Sequence, residues 1–358
     1  MSASLRVGIV GVGVISRQYL AQLATRPEVD VVAVADLDVD RAAAVAAEHG
    51  IRALSVDELM AEDGVDLVLN LTIPAAHVEV ALAALSAGKH VYGEKPLALD
   101  TASGQRVLDA AARARLLVGS APDTVLGVGV QTARRALDDG LIGEAVSASV
   151  HWTAPGHELW HPAPAFYYQP GAGPLFDMGP YYLTTLVTLF GPVARVSGLA
   201  TRSARARTIA TGPDAGAAIP VDVDTHVLAL LEHASGVTAS VTVSFEVWQS
   251  RAPLFEVYGT AGTLAVPDPN TFEGPAELWT PESGEWAVLP DAAGYAAGGR
   301  GIGIVDLAAA AAEGRSPRCS GELAFHVLEV MEAVLAGGER EIRSRPARPE
   351  PVPHTPAG

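Results

Sequence analysis

The chain contains 24 basic residues, and only two of them, Lys89 and Lys95, are lysines. Arginine keeps its charge at any working pH, whereas an ammonium group can lose its proton when it is buried or lies beside another positive charge. A lysine that persists in such an arginine-rich chain is therefore a candidate for proton transfer. Lys95 lies in the stretch Gly93-Glu94-Lys95-Pro96, and the alternative reading is a simple pairing with Glu94 in a loop.

A glycine-rich turn near the N-terminus has the spacing of a dinucleotide-binding loop. The run Gly11, Gly13, Val14, Ile15 and Ser16 follows an apolar segment and matches G-x-G-x-x-G with serine in the third place. Glycines there let a pyrophosphate approach the backbone at a helix N-terminus, where amide groups favour an anion. We predict that Gly11, Gly13, Val14 and Ile15 bind a dinucleotide. A tight glycine turn in another kind of α/β protein is the alternative.

An acidic residue, Asp36, stands twenty positions after Ser16 at the end of the second apolar run. A carboxylate at this place can bond the ribose hydroxyls of the adenosine half and repel a 2′-phosphate, and Asp38 adds to the repulsion. The sequence therefore favours NAD over NADP as the cofactor.

Further polar residues follow the next two apolar runs. In open parallel sheets, ligands bind beyond the carboxyl ends of the strands, so Thr72 and Pro74 are predicted to line the cofactor cleft. His77 is a further cofactor contact, with a packing or capping role as the alternative. Lys95 beside an oxidised nicotinamide would have its pKa lowered, and it could accept a carbinol proton or stabilise the developing oxyanion.

A second candidate group lies in the stretch 171–182. Pro180 is suited to begin a helix over 181–190, which would place Asp177 just before that helix and Tyr181 in its first turn. The alternatives are a helix cap for Asp177 and a core aromatic for Tyr181.

The aromatic loop before this stretch is expected to overhang the site. It contains His157, Trp160, His161 and Tyr168, whose rings suit stacking on, and hydrogen bonding to, a hydroxylated ring. A zinc site is less favoured, because no cysteine or other third ligand accompanies the two histidines. No metal site is predicted.

The first third of the chain alternates short β-branched runs with alanine-rich segments of helical spacing. Strands are predicted at 5–10, 29–35, 66–71, 90–92 and 116–119, and helices at 16–24, 39–49, 75–87 and 101–114. This alternation is typical of a doubly wound parallel sheet. We expect an α/β Rossmann domain over residues 1–122.

A second domain is expected over residues 123–338. A helix over 124–139 leads into strands at 145–152, 193–200, 221–233, 237–248 and 254–259. These indicate an α+β domain with a large, mostly antiparallel open sheet that has one solvated or partner-covered face. A last helix over 320–337 could pack back on the Rossmann domain, and the proline-rich residues 339–358 are expected to form a tail.

Composition limits the partners. The net charge of −17 argues against nucleic acid and anionic membranes, because phosphate binding depends on clustered Lys and Arg. The long uncharged runs at 159–176 and 178–194 contain or adjoin prolines, so neither is predicted to span a membrane. A strand is predicted from Leu5, so we expect no signal peptide, and the single Cys319 fits a reducing cytoplasm.

Together these motifs resemble the Gfo/Idh/MocA oxidoreductase family over nearly the whole chain. The resemblance rests on the Gly11 loop, Thr72-Ile73-Pro74, Glu94-Lys95-Pro96, the stretch 171–181 and the run 258–263. It implies that Lys95 is the catalytic lysine, that a cis bond precedes Pro96, and that Glu94 lies near the nicotinamide ribose. It also implies a homodimer or homotetramer formed through the open sheet.

Two positions depart from the commonest pattern of that family. Tyr181 stands where many members have histidine, although a phenol hydroxyl can also pass a proton. The residues Ala121-Pro122-Asp123-Thr124 follow the sixth strand, where many relatives have an arginine-bearing segment.

The expected activity is NAD-dependent hydride transfer at a secondary carbinol of a sugar, polyol or cyclic alcohol. Lys95 and Tyr181 would handle the hydroxyl proton, and Asp177 would hold a neighbouring hydroxyl of this small polyhydroxy substrate. Two alternatives share the fold: an NAD-dependent glycoside hydrolase and a non-catalytic NAD-binding regulator.

Overall fold

A computed structural model describes residues 4–353, and the chain divides into two compact units. The first unit holds the residues up to Gly127 together with Tyr295–Leu328. The second holds Val128–Gly294 and the described residues 329–353. Each unit is therefore assembled from separate segments of the chain.

The first unit is built on a six-stranded parallel sheet with the order β3-β2-β1-β4-β5-β6. The strands are β1 (Leu5–Val10), β2 (Val29–Ala35), β3 (Arg52–Ala53), β4 (Leu67–Asn70), β5 (His90–Gly93) and β6 (Val118–Ser120). The order reverses between β1 and β4, and ligands in such sheets bind beyond the carboxyl ends of the strands at that reversal. The expected doubly wound Rossmann sheet is confirmed.

Five helices alternate with these strands. They are α1 (Ser16–Leu23), α2 (Val39–His49), α3 (Val56–Ala61), α4 (His77–Ser86) and α5 (Thr101–Ala114). The short helix α3 is absent from the sequence prediction, although Ser55 and Glu58 form the reciprocal capping box that marks a helix start.

The second unit is built on a nine-stranded sheet with the order β16-β15-β14-β13-β7-β12-β11-β8-β17. Its elements up to residue 288 are α6 (Val128–Asp138), β7 (Ala145–Thr153), α7 (Gly173–Phe190), β8 (Val193–Thr201), β9 (Ala206–Thr208), β10 (Ala218–Pro220), β11 (His226–His233), β12 (Thr238–Ser244), β13 (Phe255–Gly259), β14 (Thr263–Ala265), β15 (Glu277–Trp279) and β16 (Trp286–Val288). Only β7 and β12 pair in parallel among the described strands of this sheet. The predicted large, mostly antiparallel sheet is confirmed, and β9 and β10 form a small separate hairpin.

Three more elements follow: α8 (Ile302–Glu313), α9 (Gly321–Leu335) and β17 (Gly338–Glu341). The start of α9 belongs to the first unit, where a Cβ at Gly321 would lie 2.9 Å from both Leu108 and Val118. The strand β17 pairs with β8, and Val352 is 2 % exposed. Residues 339–353, expected to be a loose tail, thus contain a paired strand and two buried side chains, those of Ile342 and Val352, although most of their side chains are exposed. Residues 354–358 lie outside the described part.

One face of the large sheet is covered by a helix, and the other face is exposed. Helix α7 packs against β11 and β12 on one face. On the other face, Leu199 and Leu228 are cross-strand neighbours with exposures of 61 % and 39 %, and Leu230 is 64 % exposed. This uncovered apolar surface, which we call the open face, agrees with the alternating pattern of the sequence. Over residues 4–353, no helix is both long enough and apolar enough to cross a membrane.

Candidate active site

The glycine-rich loop leaves its backbone open at the start of α1. Gly11 has φ +94°, and a Cβ there would lie 2.8 Å from the carbonyl carbon of Leu71, so only glycine fits. Nothing lies within 4 Å of a Cβ built on Gly13, and Val14 is 89 % exposed. The main chain before Ser16 is therefore accessible to a bound anion.

Asp36 ties the glycine-rich loop to the end of β2. Its Oδ2 accepts the amide of Val12 at 2.8 Å, and its Oδ1 accepts the amide of Asp38 at 2.9 Å and Nη2 of Arg41 at 2.8 Å. Burial alone would raise the pKa of Asp36, but these hydrogen bonds outweigh burial and hold it below its usual value. The carboxylate is ionised at neutral pH, and Arg41 adds a positive charge that the sequence reasoning missed.

His77 joins the loops that follow β4 and β5. One ring nitrogen lies 2.7 Å from the carbonyl oxygen of Pro96, and the other lies 3.0 Å from that of Thr72. Thr72 is fixed in turn by Asn70, whose Oδ1 accepts its hydroxyl at 2.6 Å. With both ring nitrogens engaged and only 3 % of the residue exposed, we reassign His77 from cofactor contact to support of these loops. Pro74 stays exposed at the start of a short helical turn.

The Lys95 turn is held through its main chain. The Lys95–Pro96 peptide bond is cis, as the resemblance implied. Glu94 accepts the amide of Lys95 at 3.0 Å through Oε2 and the hydroxyl of Tyr19 at 2.8 Å through Oε1. The amide of Glu94 donates to the carbonyl of Asn70 at 3.0 Å. Glu94 thus fixes the backbone of Lys95 at the carboxyl end of β5.

Asp177 and Tyr181 lie one turn apart on the same helix. The prediction that Pro180 begins this helix is wrong, because α7 starts at Gly173 with Pro174 in its first turn and continues through Pro180. Residues four apart lie on the same side of a helix, so the two side chains share one face. Tyr181 is 6 % exposed.

His157 and Asp177 form a pair within the second unit. The Nε2 atom of His157 lies 2.9 Å from Oδ2 of Asp177, and the two side chains are 8 % and 17 % exposed. The ring of His157 also packs edge-on against Trp160 and Tyr167. Trp160, 60 % exposed, lies at the outside of this cluster, and its ring is 5.4 Å from that of His161. His157 therefore holds Asp177 in place and leaves Trp160 and His161 as the outer residues of the loop.

Tyr168 holds this loop together through its hydroxyl group. It is fully buried, its hydroxyl donates to Glu158, and it accepts the amide of His157 at 3.2 Å. Burial and the bond to Glu158 raise the pKa of Tyr168 well above its usual value. Arg207 neutralises Glu158 at 2.6 Å and Glu246 at 2.8 Å. We therefore reassign Tyr168 from substrate contact to support of the loop. Arg207 supports the same loop, and the sequence analysis did not identify it.

The described residues contain no group of three or more acidic, histidine or cysteine side chains arranged to hold a metal ion.

Comparison with known proteins bears on both units. Residues 5–121 match the oxidoreductase family with an NAD-binding Rossmann fold, and residues 130–265 match the GFO/IDH/MocA C-terminal domain. The chain is 34 % identical to dTDP-3,4-didehydro-2,6-dideoxy-α-D-glucose 3-reductase of Streptomyces antibioticus, over 82 % of this chain and 86 % of that protein. It is 35 % identical to inositol 2-dehydrogenase 3 of Saccharopolyspora erythraea, over 45 % and 49 % of the two chains.

A solved structure shares the fold over almost the whole chain. Levoglucosan dehydrogenase in complex with NADH and levoglucosan superimposes with a TM-score of 0.81 at 21 % identity, covering 95 % of this chain and 100 % of that one. The matches to both domains and the long alignment with the reductase agree with the architecture described above. The chain therefore belongs to the GFO/IDH/MocA family of NAD-binding oxidoreductases.

Proposed function

We propose that the protein transfers a hydride between NAD(H) and a secondary carbinol carbon of a sugar, polyol or related cyclic alcohol. The observation that carries this proposal is the Lys95 turn, which Glu94 fixes at the carboxyl end of β5. It supplies a lysine suited to acid/base chemistry at the sheet edge where dinucleotides bind.

The first unit has the features that NAD requires. The open backbone at Gly13 suits a pyrophosphate, and the ionised Asp36 suits ribose hydroxyls. Leu37 and Ile73 are apolar yet 94 % and 69 % exposed after β2 and β4, as expected of side chains that pack on an adenine ring. When bound, the nicotinamide accepts or supplies the hydride. Thr72, Pro74 and Glu94 remain proposed contacts of the same cofactor.

The proposed chemistry assigns the carbinol proton to Lys95 and Tyr181 and a neighbouring substrate hydroxyl to Asp177. Lys95 takes the carbinol proton or returns it, and Tyr181 assists through its phenol hydroxyl. Asp177, oriented by His157, accepts a hydrogen bond from a neighbouring substrate hydroxyl. Trp160 and His161 offer ring faces and edges to the substrate ring.

A nucleotide-linked keto sugar is a second candidate substrate. The alignment with the Streptomyces antibioticus reductase spans 82 % of the chain, whereas that with the inositol dehydrogenase spans 45 %. A match over 82 % of the chain must include most of the second unit, where the proposed substrate contacts lie, so the longer match is the better guide to substrate. In this case the enzyme works in the reducing direction, on the ketone of a nucleoside-diphosphate sugar.

The test measures NADH absorbance at 340 nm with sugars, inositols and cyclic diols in oxidation, and with keto sugars, free and nucleotide-linked, in reduction. With any active substrate, we expect Lys95→Met and Tyr181→Phe each to lower kcat by roughly a hundredfold. NADH binding, followed by fluorescence, should persist in both. Tyr258→Phe, at a tyrosine of β13 that is 37 % exposed, is the matched control. Full turnover by Lys95→Met would refute the mechanism, and hydrolysis without net change in NADH would indicate a glycoside hydrolase.

We also propose that a second copy of the chain covers the open face of the sheet, giving a homodimer or part of a homotetramer. Support comes from Leu199, Leu228 and Leu230, which stay exposed on one surface of an otherwise well-packed unit. A cytoplasmic location is proposed because Cys319 is a buried free thiol, which suits a reducing compartment.

A further inference from the structure

A buried tyrosine of α1 is bonded to the carboxylate that holds the Lys95 turn. Tyr19 is 0 % exposed, and its hydroxyl donates to Oε1 of Glu94 at 2.8 Å. The other oxygen of this carboxylate, Oε2, accepts the backbone amide of Lys95 at 3.0 Å. Two hydrogen bonds through one carboxylate therefore join the backbone of Lys95 to helix α1.

The same helix begins at the glycine-rich loop. Its first residue, Ser16, donates its amide at 3.1 Å and its hydroxyl at 2.7 Å to the carbonyl oxygen of Gly13. Tyr19 follows Ser16 by three residues, which is less than one turn of an α-helix. The loop that suits the cofactor pyrophosphate and the side chain that bonds Glu94 thus belong to one short, hydrogen-bonded segment.

Packing holds the ring of Tyr19 in place. The start of α8 lies beside it, because a Cβ on Gly301 would be 3.3 Å from the ring. Asp123, in the segment after β6 where the resemblance led us to look for arginine, fixes this start: its Oδ2 accepts the amides of Gly301 at 2.7 Å and Gly303 at 3.1 Å. The ring therefore has a fixed place that does not depend on the bond to Glu94.

The hydroxyl of Tyr19 is not needed to fill space. A fully buried hydroxyl loses its bonds to water, so phenylalanine packs at lower cost unless the hydroxyl has a partner. Tyr92 of β5 is also 0 % exposed, and its hydroxyl has no hydrogen-bond partner among the described residues. The two tyrosines are a matched pair, one with a bonded hydroxyl and one without.

We propose that Tyr19 is a positioning residue, which through Glu94 ties the Lys95 turn to α1, so that binding of the cofactor pyrophosphate at the start of α1 also fixes Lys95. A pyrophosphate bound to the amides of the glycine-rich loop restricts the first turn of α1, and Tyr19 lies in that turn. The two bonds of Glu94 pass this restriction to the Lys95 amide. Lys95 is thereby ordered before a carbinol arrives. The effect on turnover rests on the proposed function, whereas the effect on the Lys95 amide does not.

The test uses the scarcity of lysine. Protein labelled with ¹⁵N at lysine alone gives two backbone amide signals, and the signal that is missing from Lys95→Met belongs to Lys95. The amide of Lys89 donates to the carbonyl of Ala84 at 3.0 Å and provides the internal reference. In Tyr19→Phe, we expect the Lys95 amide to exchange with solvent about tenfold faster, as for the loss of one hydrogen bond to a charged group, and the Lys89 amide to be unchanged.

ADP tests the link to the glycine-rich loop, because it has the adenosine and pyrophosphate of the cofactor but no nicotinamide. Saturating ADP should slow exchange at the Lys95 amide about fivefold in wild type. It should have no effect in Tyr19→Phe or in Glu94→Ala, which removes both bonds of the carboxylate. On an active substrate, Tyr19→Phe should lower kcat about tenfold with little change in KM or in NADH affinity, as for a displaced catalytic group.

Tyr92→Phe is the matched control, since it removes a hydroxyl without a partner from an equally buried tyrosine. We expect its Lys95 exchange, its response to ADP and its kcat to equal those of wild type. Unchanged exchange in Tyr19→Phe, an equal change in Tyr92→Phe, or wild type that does not respond to ADP would each overturn the proposal.

A response to ADP that persists in Tyr19→Phe would overturn it as well, and if that variant does not fold, Glu94→Ala decides in its place. Absence of turnover on every substrate would count against the proposed function, while the exchange data would still decide the role of Tyr19.

Discussion

The two lysines of this chain have different uses. Lys89 is 5 % exposed, and its ammonium group donates to the carbonyl oxygens of Glu62 at 2.7 Å and Val65 at 3.0 Å. A compact ammonium can serve both acceptors in a small buried space, which a planar guanidinium fills less readily. The rarity of lysine therefore identifies positions that arginine does not suit. Of the two lysines, Lys95 is the candidate for proton transfer, because it follows the carboxyl end of β5.

We expect Asp36 and Arg41 together to set the choice between NAD and NADP. We expect Asp36→Ala to raise kcat/KM for NADP relative to NAD by about tenfold or more, because the carboxylate no longer repels the 2′-phosphate and Arg41 is released to pair with it. Steady-state kinetics with both cofactors measure this ratio. The exposed Asp40 on the same helix gives the control, Asp40→Asn. The double variant Asp36→Ala/Arg41→Met should lose most of the gain, and a gain that survives would contradict the role of Arg41.

Among the secondary structure elements, those with clear periodicity were predictable. The Rossmann strands and helices and the β11–β12 hairpin follow from alternating or helical patterns with glycine at their ends. Helix α7 was misread because both Pro174 and Pro180 suit a first turn. Pro180 lacks an N–H for the carbonyl of Phe176, yet the helix continues because nearly every residue of α7 is buried in the unit.

Contacts between distant segments were not predictable. Asp123 with Gly301, and Arg207 with Glu158, join residues whose partners no local pattern indicates. Three-residue strands such as β14 and β15 are too short to show a period. Of the candidate site, the sequence indicated the residues at strand ends and the family indicated Asp177 and Tyr181. The contacts by which Arg207, Asp123 and His77 hold neighbouring segments of the chain are visible only in the folded structure.

The aromatic loop depends on Arg207. We expect Arg207→Met to lower the free energy of unfolding by ~3 kcal/mol, because Glu158 would be left buried without its cation. The Michaelis constant for an active substrate should rise as the loop loosens. Arg195→Met is the matched control, since the Arg195–Glu232 pair is about half exposed and is worth ~0.5 kcal/mol. Urea unfolding of both variants makes the comparison, and equal losses would refute the special role of Arg207.

At the scale of the whole molecule, the open face is the surface through which we expect two copies of the chain to associate. We expect Leu230→Asp to reduce the mass measured by light scattering to that of a single chain, because a charge would be buried at the proposed interface. Leu141→Asp, at a leucine 42 % exposed in the turn between α6 and β7, is the control and should keep the wild-type mass. A monomeric wild type, or a Leu230→Asp variant of unchanged mass, would contradict the proposed dimer. With a net charge of −17 per chain, association should strengthen with added salt.

The division of the chain into interleaved segments has a consequence for its synthesis. The first unit needs Tyr295–Leu328, since Tyr92 packs on Gly303 and the amide of Ser120 donates to the carbonyl of Cys319. About 200 residues separate Gly127 from the end of that segment, which a ribosome adds in on the order of 10–40 s. Until α8 has been made, the N-terminal segment lacks this helix, and Asp123 lacks the amides of Gly301 and Gly303 that it accepts in the folded protein. The nascent Rossmann sheet therefore reaches the exit of the ribosome with one flank still uncovered, and it is completed only after eight of the nine strands of the large sheet have been made.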